Sequence, residues 1–422
     1  MINIPKGTKD VLPKDSYKWE KATKVAYDIA KRYNLKEIRT PIFEHTELFV
    51  RTDGEGSDVV SKEMYTFPDK GGRSLTLKPE GTAGAARAFI ENSLDKDILP
   101  LKVFYITPCL RYERPQAGRL RQHTQFGVEL FGANTIASDV EVIEIARDFF
   151  KSFGIEPTIH VNNLGCKDCR EKYKANLKAY FKPHVSKMCP DCQHRYNTNP
   201  LRMLDCKVPE CKKLVSKAPS IIDTLCDKCS SKFKEFLQVL NSLGIKHKVD
   251  SRLVRGLDYY TDIVFEFIDE DKKLGANALG AGGRYNDLIE QLGGQSTPVI
   301  GFGIGIERLL LYLESKKIAI PHDDGIDCYV ASVTDDLIDV MKVVAHLRKQ
   351  GFSVESDLML KSLKAQFKYA NKIGARFVIT LGDEEIAESK ATVKNMETGK
   401  EDKVWFNDIA DYLKRGLNGS NK

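Results

Sequence analysis

The sequence has no run of roughly eighteen consecutive apolar residues, so it predicts no membrane-spanning helix and no membrane partner. Its first residues, MINIPKGTKDVLP, carry no apolar stretch of the kind that a signal peptide needs. Internal repeats and low-complexity tracts are absent as well. These absences favour a cytoplasmic globular protein, in which the ten cysteines are expected to be reduced thiols.

Length and charge indicate how the chain is organised and what it binds. With 422 residues the chain is too long for one ordinary core, and two or three domains are expected. The net charge is +6, but residues 166–240 alone hold 16 Lys and Arg against 8 Asp and Glu. This concentration indicates a local contact with a polyanion, although a solvated lysine-rich surface would have the same composition.

Hydrophobic periodicity predicts alternating helices and strands before the cysteine-rich region. Helices are predicted over residues 16–33, 80–92 and 137–150, and a hairpin is predicted with its turn at Lys70–Gly72. Two strand-like arms, KVFYITPCLRY and HTQFGVELFG, flank a loop that is rich in arginine.

The second half of the chain changes character twice. From about residue 162 the cysteines come in pairs and apolar periodicity is poor, which predicts an insertion with too few apolar residues for a core. A polar stretch over residues 316–325 predicts a linker. Strands and helices then alternate in a βαβαβ pattern, which predicts a separate small domain with a largely parallel sheet.

The arginine-rich loop has the composition of a phosphate site. The stretch RYERPQAGRLR contains Arg111, Arg114, Arg119 and Arg121. A guanidinium group is permanently charged and can bind phosphate oxygens through two parallel hydrogen bonds. Arg111 ends a predicted strand and should therefore be rigidly placed. The alternative is a solvated hairpin tip.

The stretch GFGIGIERLLLYL combines glycines with an apolar helix. Gly301, Gly303 and Gly305 would let the backbone approach a flat ligand closely. Arg308 lies in the first turn of the helix, where a buried guanidinium group needs an anionic partner such as a phosphate. The stretch lacks both the Lys-Ser/Thr ending of a Walker loop and the spacing of a dinucleotide fingerprint.

Two further segments supply groups that can recognise a polar side chain by hydrogen bonding. LVRGLDYYTDIVFEF contributes Arg255, Tyr259 and Tyr260, and GAGGRYNDL contributes Arg284 and Tyr285. The alternative for the tyrosines is core packing with the hydroxyl group at the surface.

Five motifs occur in one order along the chain: PEGT at 79–82, RYERPQ at 111–116, VRGLDYYT at 254–261, GAGGRY at 280–285 and GIGIERL at 303–309. In this combination the chain resembles the histidyl-tRNA synthetases, which are class II aminoacyl-tRNA synthetases, and specifically a bacterial type with a cysteine-rich insertion. RGLDYYT and GGRYNDL discriminate best, because other class II synthetases share the arginine loop and the ERL helix but not these two. The resemblance extends over nearly the whole chain.

The resemblance implies an α/β protein with an α+β catalytic core, in which a mostly antiparallel sheet is flanked by helices. The core would comprise residues 1–161 and 246–318, and an inserted small domain of residues 162–245 would lie near the tRNA acceptor arm. Residues 326–422 would form an α/β anticodon-binding domain. The segment TPIFEHTELFVR resembles the motif through which the family forms homodimers.

The implied activity is that of a histidine–tRNA ligase. L-histidine and ATP, with Mg²⁺ bridging the phosphates, form histidyl-adenylate and pyrophosphate, and the histidyl group then passes to the 3′ end of the histidine tRNA. One alternative is the regulatory subunit of ATP phosphoribosyltransferase, which resembles the catalytic core, binds histidine as a signal and normally lacks the anticodon-binding domain. A second alternative, a zinc-dependent nucleic-acid-binding module, explains only the insertion.

The resemblance also assigns roles to individual residues. Arg111 and Arg255 would be catalytic. The residues implied to bind ATP are Arg111, Glu113, Arg119 and Arg308. The residues implied to bind histidine are Glu80, Gly81, Thr82, Gln125, Glu129, Tyr259, Tyr260 and Tyr285. Gln116 would contact the acceptor end of the tRNA.

Eight cysteines lie in four pairs within the insertion: Cys166 and Cys169, Cys189 and Cys192, Cys206 and Cys211, Cys226 and Cys229. A CxxC motif supplies half of a tetrahedral zinc site, so four pairs can form two Cys₄ centres in three possible pairings. Many relatives lack these cysteines, so the zinc would be structural. Free thiols, or disulfides under oxidation, are the alternatives. Cys109 and Cys328 lie in predicted strands and are expected to be core residues.

Overall fold

The computed structural model describes residues 2–54, 57–114, 118–270, 278–323, 325–334 and 336–419. The chain divides into two compact units, residues 1–320 and 321–422, and the boundary falls within the predicted linker. Among the described residues, no helix is long and apolar enough to cross a lipid bilayer.

The first unit contains both strands and helices. Its strands are β1 (Lys36–Glu37), β2 (Phe43–His45), β3 (Tyr65–Pro68), β4 (Ser74–Leu77), β5 (Leu101–Leu110), β6 (Gln122–Phe131), β7 (Thr158–Asn163), β8 (His247–Val249), β9 (Thr261–Ile268), β10 (Ala278–Arg284) and β11 (Val299–Gly305). Its helices are α1 (Pro13–Arg32), α2 (Thr46–Asp53), α3 (Thr82–Glu91), α4 (Ile136–Lys151), α5 (Lys167–Phe181), α6 (Pro190–Thr198), α7 (Pro209–Val215), α8 (Asp227–Ser242), α9 (Leu288–Gln291) and α10 (Ile306–Ser315).

A large sheet organises this unit, with its strands in the order β1-β5-β6-β11-β10-β9-β7-β8. Neighbouring strands are antiparallel except at the two edges, where β1 pairs with β5 and β8 pairs with β7 in parallel. The predicted antiparallel sheet flanked by helices is thereby confirmed. The three predicted helices are α1, α3 and α4, and the predicted hairpin is formed by β3 and β4.

The alternation of residues along the central strands separates the core from the opposite face of the sheet. In β6, Phe126, Val128 and Leu130 are buried in one hydrophobic cluster with residues of α1, α4 and α10. Successive strand residues point to opposite faces, so Gln125 and Glu129 point away from these helices. That second face carries the polar side chains of the candidate site.

The insertion is better packed than its sequence suggested. Tyr173, Leu177 and Phe181 of α5 are buried, and they belong to the same hydrophobic cluster as Tyr259 and Tyr260. The expectation that this region has too few apolar residues for a core is therefore wrong. Its apolar residues share a core with the catalytic sheet, which periodicity within the segment alone does not reveal.

The second unit consists of β12 (Cys328–Ser332), α11 (Leu337–Lys349), β13 (Val354–Ser356), α12 (Leu363–Lys372), β14 (Phe377–Leu381), α13 (Asp383–Glu388), β15 (Lys390–Asn395), β16 (Glu401–Trp405) and α14 (Ile409–Gly419). Its sheet has the order β13-β12-β14-β15-β16. β12 is parallel to β13 and β14, as the βαβαβ pattern predicts. β15 and β16 add an antiparallel hairpin that the sequence analysis did not identify.

Candidate active site

A cavity of about 1100 Å³ opens on the second face of the large sheet. The predicted site residues that line it are Glu80, Thr82, Arg111, Glu113, Arg119, Gln125, Arg255, Tyr259, Tyr260, Tyr285 and Arg308. Glu129 is not among the described residues that line the cavity, but it is fully buried beside Gly301, which forms part of the cavity floor. Side chains from distant parts of the chain therefore meet in one space.

One part of the cavity collects positive charge. The Arg111 Nε donates to the carbonyl of Pro79 at 2.8 Å, and the Arg111 guanidinium lies 3.9 Å from the Glu113 carboxylate. Arg119 lies 3.5 Å from the other oxygen of Glu113. Burial, and then the charge of Arg119, lowers the pKa of Arg308. An anion bound between these groups would relieve that repulsion.

Arg255 enters the cavity from the loop before β9. Its guanidinium forms an ion pair with Glu266 and lies 5.5 Å from the ring centroid of Tyr260. Tyr259 and Tyr260 are buried, and their rings lie 5.2 Å and 5.9 Å from the ring of Tyr285. The tyrosines thus form a rigid wall beside a permanently charged group.

The floor of the cavity contains buried polar atoms that lack protein partners. Glu129 accepts hydrogen bonds on one oxygen from Thr82 at 2.8 Å and from Tyr105 at 2.9 Å. Its other oxygen, and the hydroxyl group of Tyr285, have no hydrogen-bond partner among the described residues. Burial raises the pKa of Glu129 well above its usual range. Because unpaired buried polar groups are costly, this floor is suited to a polar ligand.

Gly301 makes room for this pair. A Cβ atom on Gly301 would lie 2.0 Å from the second Glu129 oxygen and 2.3 Å from the Tyr285 hydroxyl oxygen. A Cβ atom on Gly303 would lie 2.1 Å from Gln125 Nε2. Gly301 and Gly303 therefore accommodate the protein's own polar side chains, whereas their sequence suggested direct approach to a ligand.

The PEGT motif fixes the positions of the Glu80 and Gln125 side chains through backbone hydrogen bonds. Glu80 accepts hydrogen bonds from the backbone N–H groups of Thr82 at 2.6 Å and Ala83 at 2.7 Å, at the N-terminus of α3. The N–H of Gly81 donates to Gln125 Oε1 at 2.9 Å. The helix dipole and these bonds hold the Glu80 carboxylate in one position.

Some arginines singled out from the sequence lie elsewhere. Arg284 is fully buried and pairs with Asp139 at 2.5 Å, so it joins β10 to α4 on the helix-covered face. Arg114 is exposed, and Arg121 lies over the ring of Tyr112 at 3.9 Å. The predicted tRNA contact Gln116 lies outside the described residues.

Several site residues were missed by the sequence analysis. Tyr105 bonds Glu129, but a tyrosine within an apolar strand cannot be told from a core residue. Glu266 carried a usable signal, because it is an isolated acid in the apolar strand VFEF. Lys207 and Lys212 line the cavity from the insertion, which no local pattern indicates.

The eight paired cysteines form two clusters, which we call the outer and the inner cluster. In the outer cluster (Cys166, Cys169, Cys226 and Cys229) and in the inner cluster (Cys189, Cys192, Cys206 and Cys211), the Sγ atoms lie within 4.8 Å of one another. Of the three pairings that the sequence left open, the structure therefore brings together the first and fourth cysteine pairs, and the second and third cysteine pairs.

Sulfur distances in the clusters fit metal binding better than disulfides. The Sγ atoms of Cys166 and Cys169 are 3.6 Å apart, and those of Cys189 and Cys206 are 3.7 Å apart. A disulfide requires about 2.05 Å. Four thiolates about 2.3 Å from a tetrahedral zinc ion would lie about 3.8 Å from one another. All eight are free thiols, so the residues present fit a Cys₄ metal.

Comparisons with known proteins give one consistent result. A family model described as histidyl-tRNA synthetase matches residues 7–168 and 207–309, and one described as anticodon binding domain matches residues 327–416. The histidine–tRNA ligase of Clostridium novyi is 51% identical over 410 residues, which cover 97% of this chain and 97% of that protein. The histidine–tRNA ligase of Caldanaerobacter subterraneus is 49% identical over 416 residues, which cover 98% of this chain and 100% of that protein. The crystal structure of apo S. aureus histidyl-tRNA synthetase has a TM-score of 0.84 at 37% identity and covers 98% of this chain and 100% of its own.

Proposed function

The chain belongs to the histidyl-tRNA synthetase family, and from this premise we propose that it is a histidine–tRNA ligase whose ATP and histidine sites are the two parts of the cavity. The observation that carries the proposal is the convergence of Arg111, Arg119, Arg255 and Arg308 beside a floor with an unpaired carboxylate oxygen and hydroxyl group. The alternative of a regulatory subunit is not supported, because the chain also matches the anticodon binding domain over residues 327–416.

In the first step the histidine carboxylate attacks the α-phosphorus of ATP. A P–O bond forms to the carboxylate, the bond to the β-phosphate oxygen breaks, and pyrophosphate leaves. The nucleophile is already ionised, so no strong base is needed, and the barrier lies in bringing two anions together. Arg255 and Arg111 lower it by binding the carboxylate and the α-phosphate, while Arg119 and Arg308 bind the outer phosphates. Glu113 contacts the adenine.

In the second step the terminal ribose hydroxyl group of the tRNA attacks the acyl carbon, and AMP leaves. When bound together with ATP, Mg²⁺ would neutralise part of the phosphate charge. Glu113 and Glu266 line the cavity and are carboxylates of the kind that Mg²⁺ binds, although each lies against an arginine.

Histidine is selected by its two ring nitrogens. A neutral imidazole has one donor and one acceptor. The unpaired Glu129 oxygen and the Tyr285 hydroxyl group both adjoin Gly301, and they can serve these two nitrogens. Tyr259 and Tyr260 flank the ring, and Glu80, Thr82 and Gln125 receive the ammonium group. Such a site rejects apolar analogues by a factor of about 10⁴ or more, because its own polar groups would be left unpaired.

The two cysteine clusters bind structural zinc in this proposal. The prediction that mass spectrometry tests is about two zinc ions per chain, each bound by four thiolates. Replacement of Cys206 by serine should lower the content to about one. A protein isolated under reducing conditions with no bound metal would refute the assignment.

The homodimer and the tRNA contacts are also part of the proposal. Phe43 and Phe67, on the three-stranded sheet β2-β4-β3, are 47% and 40% exposed, which suits an apolar interface between two copies. The basic insertion would contact the acceptor arm with Gln116, and the second unit would contact the anticodon. The cytoplasmic location stays a prediction.

Histidine-dependent exchange of pyrophosphate into ATP tests the function. A ligase exchanges label without tRNA, and it does so with histidine but not with phenylalanine or glutamine. A regulatory subunit would bind histidine without exchange, and a nucleic-acid-binding module would do neither. The absence of exchange by folded, metal-containing protein would defeat the proposal.

A further inference from the structure

The loop that carries Arg255 is held from outside the catalytic sheet. Residues 254–260, here called the Arg255 loop, form neither helix nor strand. Arg202 of the insertion donates a hydrogen bond to the carbonyl of Gly256. Arg170, also of the insertion, donates to the carbonyl of Tyr260 at 3.1 Å. Guanidinium groups of the insertion thus bind two carbonyls of this loop.

Arg202 is a fixed, buried link. It is 5% exposed, and its second contact is with the Asp58 carboxylate at 3.1 Å. Three residues earlier, Asn199 donates to the Asp258 carboxylate at 2.8 Å. A buried guanidinium group is costly unless it is paired, so the contacts of the two terminal nitrogens with Gly256 and Asp58 favour one arrangement, while the Arg202 Nε has no hydrogen-bond partner among the described residues. Arg202 does not itself line the cavity.

The inner cluster determines where Arg202 lies. Arg202 is part of a 3₁₀ turn, Pro200–Asp205, that is followed directly by Cys206. The preceding helix α6 begins after Cys189 and contains Cys192. A metal bound by the inner cluster would fix both ends of the segment that carries Asn199 and Arg202.

We propose that Arg202 is a positioning residue for Arg255 and that a metal in the inner cluster is required for this role. The thiolates fix the segment between Cys192 and Cys206, Arg202 fixes the carbonyl of Gly256, and the adjacent Arg255 is held at the reacting phosphate. This inference rests on the proposed function and deepens it, because it connects the insertion to the first chemical step.

A pair of matched substitutions tests the role of Arg202. Arg195 donates to the same Asp58 oxygen at 2.8 Å, so Arg195→Met removes a comparable ion pair with Asp58. Arg202→Met is expected to lower kcat of pyrophosphate exchange about 10- to 100-fold, since a displacement of about 1 Å has effects of that size. The histidine KM should rise by a smaller factor than kcat falls, because Glu129 and Tyr285 lie outside the loop, whereas Tyr259 and Tyr260 belong to it.

Two further variants separate positioning from general damage. Arg195→Met should keep kcat within about threefold, and Arg202→Lys should recover part of the loss because it restores one donor group. Added to Arg255→Ala, Arg202→Met should cause little additional loss, since its target is gone. Losses that multiply independently, or equal effects of the two methionine variants, would overturn the proposal.

Hydrogen–deuterium exchange of the Arg255 loop tests the coupling without catalysis. The wild type, Arg202→Met and Arg195→Met are compared with their metal bound, and Cys206→Ser is compared without metal in the inner cluster. Amides of residues 254–260 should exchange about tenfold faster in Arg202→Met and in Cys206→Ser than in Arg195→Met or the wild type. Unchanged protection in Arg202→Met would sink the inference even if Cys206→Ser does not fold. If the wild type catalyses no pyrophosphate exchange, the proposed function fails, while this measurement still decides whether Arg202 fixes the loop.

Discussion

Arg255 shows how single residues prepare the cavity for anions. Its guanidinium lies against Glu266, and Arg111 and Arg119 lie on either side of Glu113. The carboxylates keep buried positive charges in place before a substrate arrives, so little reorganisation is needed when phosphates bind. The cost of burying these charges is met by ion pairs that substrate contacts can supplement or replace.

Replacing Arg255 by alanine tests its catalytic role. We expect kcat of pyrophosphate exchange to fall by about 10²–10³, the usual effect of removing one preorganised contact to transition-state charge. Histidine binding, measured by calorimetry, should weaken only modestly. Arg114→Ala is the matched control, because Arg114 is exposed in the arginine-rich loop. An unaltered turnover number in Arg255→Ala would contradict the assigned role.

His123 gives the ligand-free protein a defined pH dependence. Burial and the charge of Arg111 lower the pKa of His123 from 6.5 to about 3. Between these values the unfolded chain binds a proton that the folded chain does not, so this residue lowers stability as the pH falls. In His123→Asn, the decrease of the urea midpoint between about pH 7.5 and about pH 5 should be smaller than in the wild type. An identical or larger decrease would show that His123 is not held neutral.

At the scale of elements, β6 and β11 build the site because their residues alternate between faces. Strand β6 could be predicted, since HTQFGVELF alternates apolar with other residues, and its polar positions face the cavity. The helix α10 and its Arg308 were also predictable from periodicity. The contacts of each side chain could not be predicted, because a contact such as that of Tyr105 with Glu129 depends on how strands β5 and β6 pair.

The insertion shows the same limit for a whole segment. Its four cysteine pairs were evident, but three pairings were equally compatible with the spacing. The pairing into an outer and an inner cluster depends on the tertiary arrangement of the segment from α5 to α8, which carries the cysteines. Arg202 could not be identified either, since a charged residue in a basic segment resembles a solvated lysine or arginine until its burial is known.

Strand β11 offers a substitution that crowds the histidine site and also brings a methyl group within 2.4 Å of the Val128 carbonyl oxygen on β6. In Gly301→Ala the new methyl group would lie 2.0 Å from a Glu129 oxygen and 2.3 Å from the Tyr285 hydroxyl oxygen. We expect the histidine KM to rise about 5- to 150-fold, because overpacking of this kind costs about 1–3 kcal/mol.

Gly305→Ala is the control on the same strand. Its new methyl group would have Arg308 Cβ as nearest neighbour, at an ordinary 3.8 Å. The histidine KM should stay close to that of the wild type. Equal increases in the two variants would mean that the glycines act through the strand backbone and not through the Glu129 and Tyr285 pocket.

At the scale of the whole molecule, we propose that the first unit activates histidine and that the second unit contacts the anticodon. All the described residues that line the cavity belong to residues 1–320, so the first step should need only that unit. The second unit has its own core, formed around residues such as Val330, Leu347 and Ile379. We therefore expect this unit to keep its fold independently of the sequence of the first unit.

Exchange of the second unit tests this division. Replacing residues 321–422 by the anticodon-binding domain of a synthetase for another amino acid should leave pyrophosphate exchange near the wild-type rate. Charging of the histidine tRNA should fall much further, because contacts with the anticodon are lost. Equal losses in both assays would argue against an anticodon role for this unit.

The central claim is that guanidinium groups from distant segments hold ATP against a bound histidine. The most direct measurement is a crystal structure of the protein with a non-hydrolysable histidyl-adenylate analogue. The account predicts Arg111 and Arg255 in hydrogen-bonding contact with the group that replaces the α-phosphate, and the imidazole between Glu129 and Tyr285. An analogue bound elsewhere, or an imidazole that leaves Glu129 and Tyr285 without a partner, would contradict it.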